Sequence, residues 1–198
     1  MALSQIDLIQ TEKELKKKLD SDRFRHTQGV MYTAAAMAMA HGTDMLQAQT
    51  AGLLHDCAKC IPDKKKLDMC RKNMLPVTAF EMENPFLLHA KLGAFLARTK
   101  YGVKDKEIEN SIIWHTTGTS AMSTLEKLIY IADYIEPGRD RAAHLDVIRK
   151  LAFEDLDECM YRILKDTMEY LKSNPKSMDS ATEEAFLYYS NIHNGRKD

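Results

Sequence analysis

Apolar residues recur along this chain every three to four positions and hardly ever in strict alternation, a pattern that predicts helices rather than strands. Gly and Pro are scarce, 8 and 5 in 198 residues, and they fall between the periodic stretches as punctuation. An amphipathic segment, "MALSQIDLIQTEKELKKKLD", comes first. Ser21 or Asp22 is placed to cap a helix through "RFRHTQGVMYTAAAMAMAH", which Gly42 stops. Thr43 or Asp44 then opens "MLQAQTAGLLHDCA", and the very short turn between the two makes a helical hairpin. Pro62 and Pro85 suit the first turns of "DKKKLDMCRKN" and "FLLHAKLGAFLARTKY", with Gly102 ending the latter. Asp105 opens "KEIENSIIWHTTG"; Ser123 or Thr124 opens "LEKLIYIADYIE", which Pro137 and Gly138 terminate. One long segment, "LAFEDLDECMYRILKDTMEYLK", and a last helix near "ATEEAFLYYSN" complete an all-α bundle. No repeat, linker or low-complexity block divides the chain. The expectation is one domain over 1–198, with a core about 21–140 and C-terminal helices 141–198 packed on it.

Composition narrows the function classes. Hydrophobic residues make up 44% and charged residues 29%, the balance of a soluble globular chain. No apolar run reaches the roughly 18 residues that span a bilayer. The N-terminus lacks a basic segment ahead of a continuous apolar stretch, so a cytoplasmic protein with no membrane partner is expected. Cys57, Cys60, Cys70 and Cys159 are then expected to stay reduced. A net charge of −1 draws nothing toward nucleic acid, and any attraction for an anionic ligand has to come from a local field.

Such a field has a candidate source. His26, the pair His55 and Asp56, His89, His115 and Asp133 fall on five different predicted helices, each beside apolar neighbours. A single histidine of this kind is more often a packed imidazole with one hydrogen bond. One ligand or pair per facing helix, however, is how helical bundles build metal centres. Four neutral imidazoles and two carboxylates suit borderline divalent ions such as Fe, Mn, Co, Ni or Zn, and six ligands exceed one tetrahedral site. Two metals sharing Asp56 is the economical arrangement. It leaves a formal charge of about +2 at the centre and predicts phosphate binding. Lys59 lies at helical spacing from Asp56 and His55, Arg139 follows the turn after Asp133, and Thr116, Thr117 and Gly118 follow His115. These supply cationic and neutral donors for an anion pocket.

The order H…HD…H…H…D resembles the dimetal branch of the HD-domain metal-dependent phosphohydrolase superfamily. "RHTQGV", "LLHDCAK", "LHAKLGA", "WHTTG" and "LEKLIYIADYIEPGR" are each similar to blocks of its symmetrical diadenosine tetraphosphate hydrolases, in the same order from about Arg23 to Phe186. The resemblance implies an all-α HD-domain helical bundle, two divalent ions with iron foremost, and hydrolysis of a dinucleoside polyphosphate to two ADP. On the matching positions it implies metal ligation by His26, His55, Asp56, His89, His115 and Asp133. It further implies contacts to an ADP-like nucleotide from Arg23, His26, Lys59, His89, His115, Thr116, Asp133 and Arg139, with Asp56, Lys59, His89 and Asp133 central to catalysis. A homodimer is left open. The chain departs from the family at Thr119-Ser120-Ala121, where a basic residue with Pro-Gly is common, and at the C-terminal block Thr182 to Leu187.

The expected chemistry is in-line attack by water on a bridging phosphorus, with no protein nucleophile, because a bound dication can lower the pKa of water from 15.7 to about 7. Rivals are another HD-domain nucleotide phosphohydrolase, an HD-type di-iron oxygenase on the same ligands, and a nucleotide-sensing binding module. Lys59 and Arg139 favour phosphate over oxygen chemistry. Cys57-Ala-Lys-Cys60 has zinc-knuckle spacing, but no second pair follows and its context is helical, so packing cysteines are expected. The stripe "AAAMAMA" reads as core, the lysine runs 16–18 and 64–66 as solvated faces, and His41, His144 and His193 as structural.

Overall fold

The computed structural model describes residues 5–172 and 178–196. Among them every regular element is helical. The chain runs through α1 (Gln5–Lys16), α2 (Ser21–Ala40), α3 (Met45–Leu54), α4 (Asp63–Lys72), α5 (Ala79–Glu83), a 3-10 turn (Pro85–Leu87) and α6 (Leu88–Thr99). It continues with α7 (Lys106–Trp114), α8 (Thr124–Ile135), α9 (Leu145–Leu151), α10 (Leu156–Lys172) and α11 (Ser180–Gly195). No described helix is long and apolar enough to cross a membrane.

The helix boundaries follow capping chemistry. Asp44, Asp105 and Asp179 each accept a backbone N–H at the start of α3, α7 and α11. Ser123 closes a capping box with Glu126 on α8. The cap of α2 is Asp20, which accepts from Arg23 N at 2.8 Å, one residue before the predicted Ser21 or Asp22. The long C-terminal segment is two helices. Asp155 accepts from the backbone N–H groups of both Asp157 and Glu158 at 3.1 Å and starts α10 afresh after α9 has ended. Predicted α-helix at Pro85 is instead the 3-10 turn, and α6 proper begins at Leu88.

α2 and α3 form the tight hairpin at the centre, with α7 and α8 packed against them and α6 against α7. One hydrophobic cluster runs through this group from Leu15 and Val30 to Leu128, Ile163 and Tyr189, so the α10–α11 pair is built onto the same core. Ala34, Ala35, Met37 and Ala38 of the small-residue stripe are buried, as their composition suggests. Lys66 is a correction. Its side chain is 4% exposed and bonds Asp63 Oδ1 at 2.8 Å, so only part of the second lysine run is solvated.

The close α2–α3 approach has one structural requirement, a missing side chain at Gly52. A Cβ there would lie 2.8 Å from Met31 Cα, a backbone atom that cannot turn aside. Gly52→Ala should therefore cost about 1–3 kcal/mol, as overpacked cores do, and lower the unfolding midpoint by about 2–4 °C for each of them. Thermal unfolding followed by circular dichroism checks this.

Candidate metal centre

Both central histidines stand just past a helix end. α3 stops at Leu54, so the segment from His55 is not the continued helix that the sequence predicts. It is a run of tight turns in which Cys57 N bonds Leu54 O, Lys59 N bonds Asp56 O and Ile61 N bonds Ala58 O. α7 likewise stops at Trp114 and leaves His115 as its C-cap. His26 lies in the second turn of α2, His89 at the start of α6 and Asp133 in the last turn of α8. Elements far apart in the chain thus deliver one or two side chains each to a common point.

Hydrogen bonds orient the rings. Nδ1 of His55, His89 and His115 lies 2.7, 2.6 and 2.7 Å from the carbonyl three residues earlier, those of Gly52, Phe86 and Ile112. A carbonyl only accepts, so Nδ1 carries the proton and the lone pair of Nε2 is presented inward. His26 follows the same rule with a carboxylate, its Nδ1 lying 3.1 Å from Glu136 Oε1. Adjacent ring centroids are 5.0–5.4 Å apart.

Asp56, 2% exposed, lies between the rings. Its Oδ1 is 3.2 Å from His89 Nε2 and 3.5 Å from His115 Nε2. Oδ2 is 3.5 Å from His55 Nε2 and 3.9 Å from His26 Nε2. Asp133 Oδ1 approaches His26 Nε2 at 3.0 Å. Donor atoms gather into three overlapping sets: His26, His55 and Asp56; His55, His115 and Asp133; Asp56, His89 and His115. The residues fit divalent metal on their own chemistry. Buried His26 Nε2, His55 Nε2 and Asp56 Oδ1 make no hydrogen bond, and His89 Nε2 faces His115 Nε2 at 3.1 Å. Lone pairs aimed at one another across such distances repel unless a cation lies among them.

The charge states agree. Burial pushes the His89 imidazolium down to about 4, helped by the nearby His115 and Lys59 against the pull of Asp56, so this ring is neutral at pH 7. Burial pushes the Asp56 carboxyl upward, but the groups packed around it outweigh that push and hold it well below the ordinary carboxylate range, so it is ionised. The same competition holds Asp133 below the ordinary carboxylate range, burial pushing it up and its charged neighbours, Arg139 among them, pulling it down.

Three cations border the cluster. Arg23 Nη1 bonds Asp56 Oδ2 at 2.7 Å, and Lys59 Nζ lies 3.2 Å from His89 Nε2 and 3.9 Å from Asp56 Oδ1. Arg139 bonds Asp133 twice, Nη2 to Oδ1 at 2.7 Å and Nε to the carbonyl at 2.8 Å. Thr116 Oγ1 is 3.1–3.2 Å from His115 and His89. Every residue singled out as a ligand or nucleotide contact is therefore in this cluster. Thr117 and Gly118 are not: the Thr117 hydroxyl donates to Gly118 O and the Gly118 N–H to Trp114 O.

Glu136 is the residue that sequence reasoning missed. It is buried, holds His26 Nδ1 and accepts Gly138 N–H at 2.6 Å. Two glycines make its slot, since a Cβ at Gly29 or Gly138 would lie 2.4 or 2.9 Å from its carboxylate oxygens. The available signal was Gly29 three residues after His26, a small residue on the same helical face.

The cysteine pair takes no part. Cys57 is buried with its thiol pushed up to about 12 by burial, and Cys60 Sγ rests on Asp20. His41, His144 and His193 bond Ala152 O, Asp166 and Glu158, away from the centre.

Divalent metal added to stripped protein at 100 times its Kd should stabilise the fold by about 2.7 kcal/mol, read as a rise of about 5–10 °C in the unfolding midpoint. Asp56→Asn should remove most of that rise. Glu136→Gln should weaken metal binding by about 10–100-fold, the usual effect of losing a partner that orients a ligand. Metal titration followed by differential scanning fluorimetry measures all three.

Residues 23–138 match the HD domain family. The chain is 36% identical over 181 residues to the symmetrical bis(5'-nucleosyl)-tetraphosphatase of Bacillus subtilis, covering 91% of this chain and 95% of that one. It is 34% identical to the Staphylococcus aureus protein of the same name, over 88% and 90% of the two chains. A crystal structure from Clostridium acetobutylicum, described as a predicted HD superfamily hydrolase involved in NAD metabolism, superimposes with a TM-score of 0.90 at 35% identity. It covers 97% of this chain and 100% of its own. With the histidine and aspartate cluster lying inside the matched span, the chain belongs to the HD-domain family and, within it, to the group of symmetrical bis(5'-nucleosyl)-tetraphosphatases.

Proposed function

We propose that this protein hydrolyses diadenosine tetraphosphate between its second and third phosphates, giving two ADP, with two divalent metal ions bound by the cluster. The observation that carries the reading is the combination of inward-facing Nε2 lone pairs and paired carboxylates with three cations at the edge, a site for metal and polyphosphate together. The names of the relatives point to the same substrate class. Iron is the first choice of metal, with Mn, Co, Ni and Zn compatible with the same donors.

Asp56 would be the ligand common to both ions, because its two oxygens face different histidine pairs; His26, His55 and Asp133 would hold one ion, and His89 and His115 the other. Bound dications supply Lewis-acid polarisation of the phosphoryl oxygens and water acidified to a pKa near 7. The side chains do the rest. Glu136 and the three carbonyls keep each ring in one tautomer. Lys59 and Arg139 bind the non-bridging oxygens as charge shifts toward the departing ADP, and Arg23 adds a third cation where the chain enters. In the balanced step, water oxygen bonds to the attacked phosphorus, the bridging P–O bond breaks, its electron pair leaves with ADP, and a proton is released to solvent. Cys57, the thiol next to Asp56, does not compete as nucleophile, since burial holds it protonated.

Incubation of metal-loaded protein with diadenosine tetraphosphate should give ADP alone. AMP with ATP would contradict symmetrical cleavage, and no turnover at full metal occupancy would favour a nucleotide sensor. Lys59→Met should keep both metals and the helical fold while slowing ADP release by about 10²-fold, the scale of a lost electrostatic donor. Metal content, circular dichroism and initial rate measured on one preparation separate this from loss of the metals.

A further inference from the structure

The chain leaves α8 through a turn that one side chain from further along the sequence holds. Arg149, on the short α9, donates from Nε to Ile135 O at 3.0 Å. Its Nη2 donates to Glu136 O at 3.2 Å and to Arg139 O at 2.8 Å. The three carbonyls stand on both sides of Pro137 and Gly138. The last carbonyls of a helix lack intrahelical partners, and a rigid guanidinium fork can satisfy several at once. All three bonds go to main chain, and Arg149 lines neither of the cavities onto which Arg139 opens. The helix that carries it is itself anchored. Leu145 and Ile148 are buried, Ile148 within the main core, and His41 bonds Ala152 O at the C-terminal end of α9.

Two side chains leave this turn for the cluster. Glu136 reaches back to His26 Nδ1 at 3.1 Å, and Arg139 reaches back to Asp133. Between them Gly138 has the backbone freedom of a residue without Cβ. The turn's own main-chain bond, from Arg139 N to Glu136 O at 2.9 Å, does not restrain Ile135 O or Arg139 O. Arg149 bonds both.

We infer that Arg149 is a positioning residue for both functions of the site: by holding the main chain of 135–139 it sets Glu136 against His26 for metal binding and aims Arg139 at phosphate. The phosphate half rests on the proposed reaction, and the metal half on the geometry of the cluster alone. The arrangement suits a cation that has to change partner. The main chain of Arg139 is fixed, while its side chain, 41% exposed, is free to exchange Asp133 for an incoming anion. A small displacement of such a group is felt strongly in rate, since binding and orientation supply much of the barrier reduction.

Double-mutant cycles test both halves, because residues that act as one unit lose their effect once and independent ones lose it twice. Arg149→Met keeps the apolar stem and removes the donors. In the first cycle, Mn²⁺ titration followed by differential scanning fluorimetry, it should weaken metal binding by about tenfold. Arg149→Met combined with Glu136→Gln should bind within about twofold of the weaker single variant. In the second, at full metal occupancy, Arg149→Met should lower kcat/KM for diadenosine tetraphosphate by about tenfold or more. Combined with Arg139→Met it should again lie within about twofold of the slower single variant, whereas combined with Lys59→Met, on the other side of the cluster, the losses should multiply. Circular dichroism checks the fold. Should Arg149→Met fail to fold, Arg149→Lys, which keeps the charge at the end of α8 and loses the fork, takes its place in both cycles. Multiplying losses with Glu136→Gln or with Arg139→Met would overturn the inference, as would wild-type metal affinity and rate in the folded variant. If the wild type does not hydrolyse diadenosine tetraphosphate, the proposed reaction fails and the metal cycle alone decides the role of Arg149.

Discussion

Three hydrogen bonds from imidazole Nδ1 to the carbonyl three residues upstream decide where this protein has chemistry. Each uses a carbonyl at or near a helix terminus, where helical pairing is incomplete, and each fixes a ring in the tautomer that turns Nε2 away from the backbone. The carbonyls of Gly52 and Ile112 belong to the last turns of α3 and α7, and that of Phe86 to the 3-10 turn ahead of α6. Each bond is worth about 1 kcal/mol in isolation. Their larger effect is directional, because without them a buried neutral imidazole could present either nitrogen.

That orientation is useful only if the helix ends come close, and the small residues see to it. Gly52 admits the backbone of α2 at Met31. On α6, a Cβ at Gly93 would sit 3.3 Å from Ile112 Cγ2 and 3.4 Å from the His55 carbonyl, so Gly93 lets the turn carrying Asp56 lie directly on α6. Cys57 fits the same contact, its Sγ 3.6 Å from Gly93 O. The Cys-x-x-Cys spacing is thus an accident of packing in a turn where one cysteine fills space beneath the centre and the other reaches the surface. Close packing keeps the ligand set rigid, which is what a preorganised site requires.

The residues of the cluster were legible in the sequence because metal chemistry restricts residue type and because each stands beside helix punctuation that a single chain displays. Asp44, Asp105 and Ser123 are strong caps, and they place His55, His115 and Asp133 at the far ends of short helices. Glu136 was not legible. An acid before Pro-Gly at a helix end reads as a solvated residue, and only the three-dimensional meeting of α2 with the end of α8 buries it against His26. The division of the long C-terminal segment at Asp155 and the burial of Lys66 escaped for related reasons. The first needed a capping aspartate to outweigh an uninterrupted helical pattern, and the second turns on a tertiary burial that a run of three lysines does not display, although its partner Asp63 is one turn away.

The pairing of cations with ligand carboxylates has a consequence for how the centre meets anions. Arg23 and Arg139 are bonded to Asp56 and Asp133, the two carboxylates that divalent metal would also claim. A carboxylate that has given its charge to a dication attracts a guanidinium less, and the guanidinium is then drawn to whatever negative charge lies outside. Arg139 is partly exposed and both arginines border open cavities, so neither has to cross a packed interior to change partner. With metal bound, phosphate affinity would therefore depend on it in two ways, directly through its field and indirectly through arginines freed from the carboxylates. Lys59 differs because its nearest atom is a neutral imidazole nitrogen, with Asp56 farther off. Burial lowers its ammonium below the usual lysine range, against the attraction of Asp56 and Asp133. It is the cation that the carboxylates hold least, and an incoming phosphate has the least to displace in reaching it.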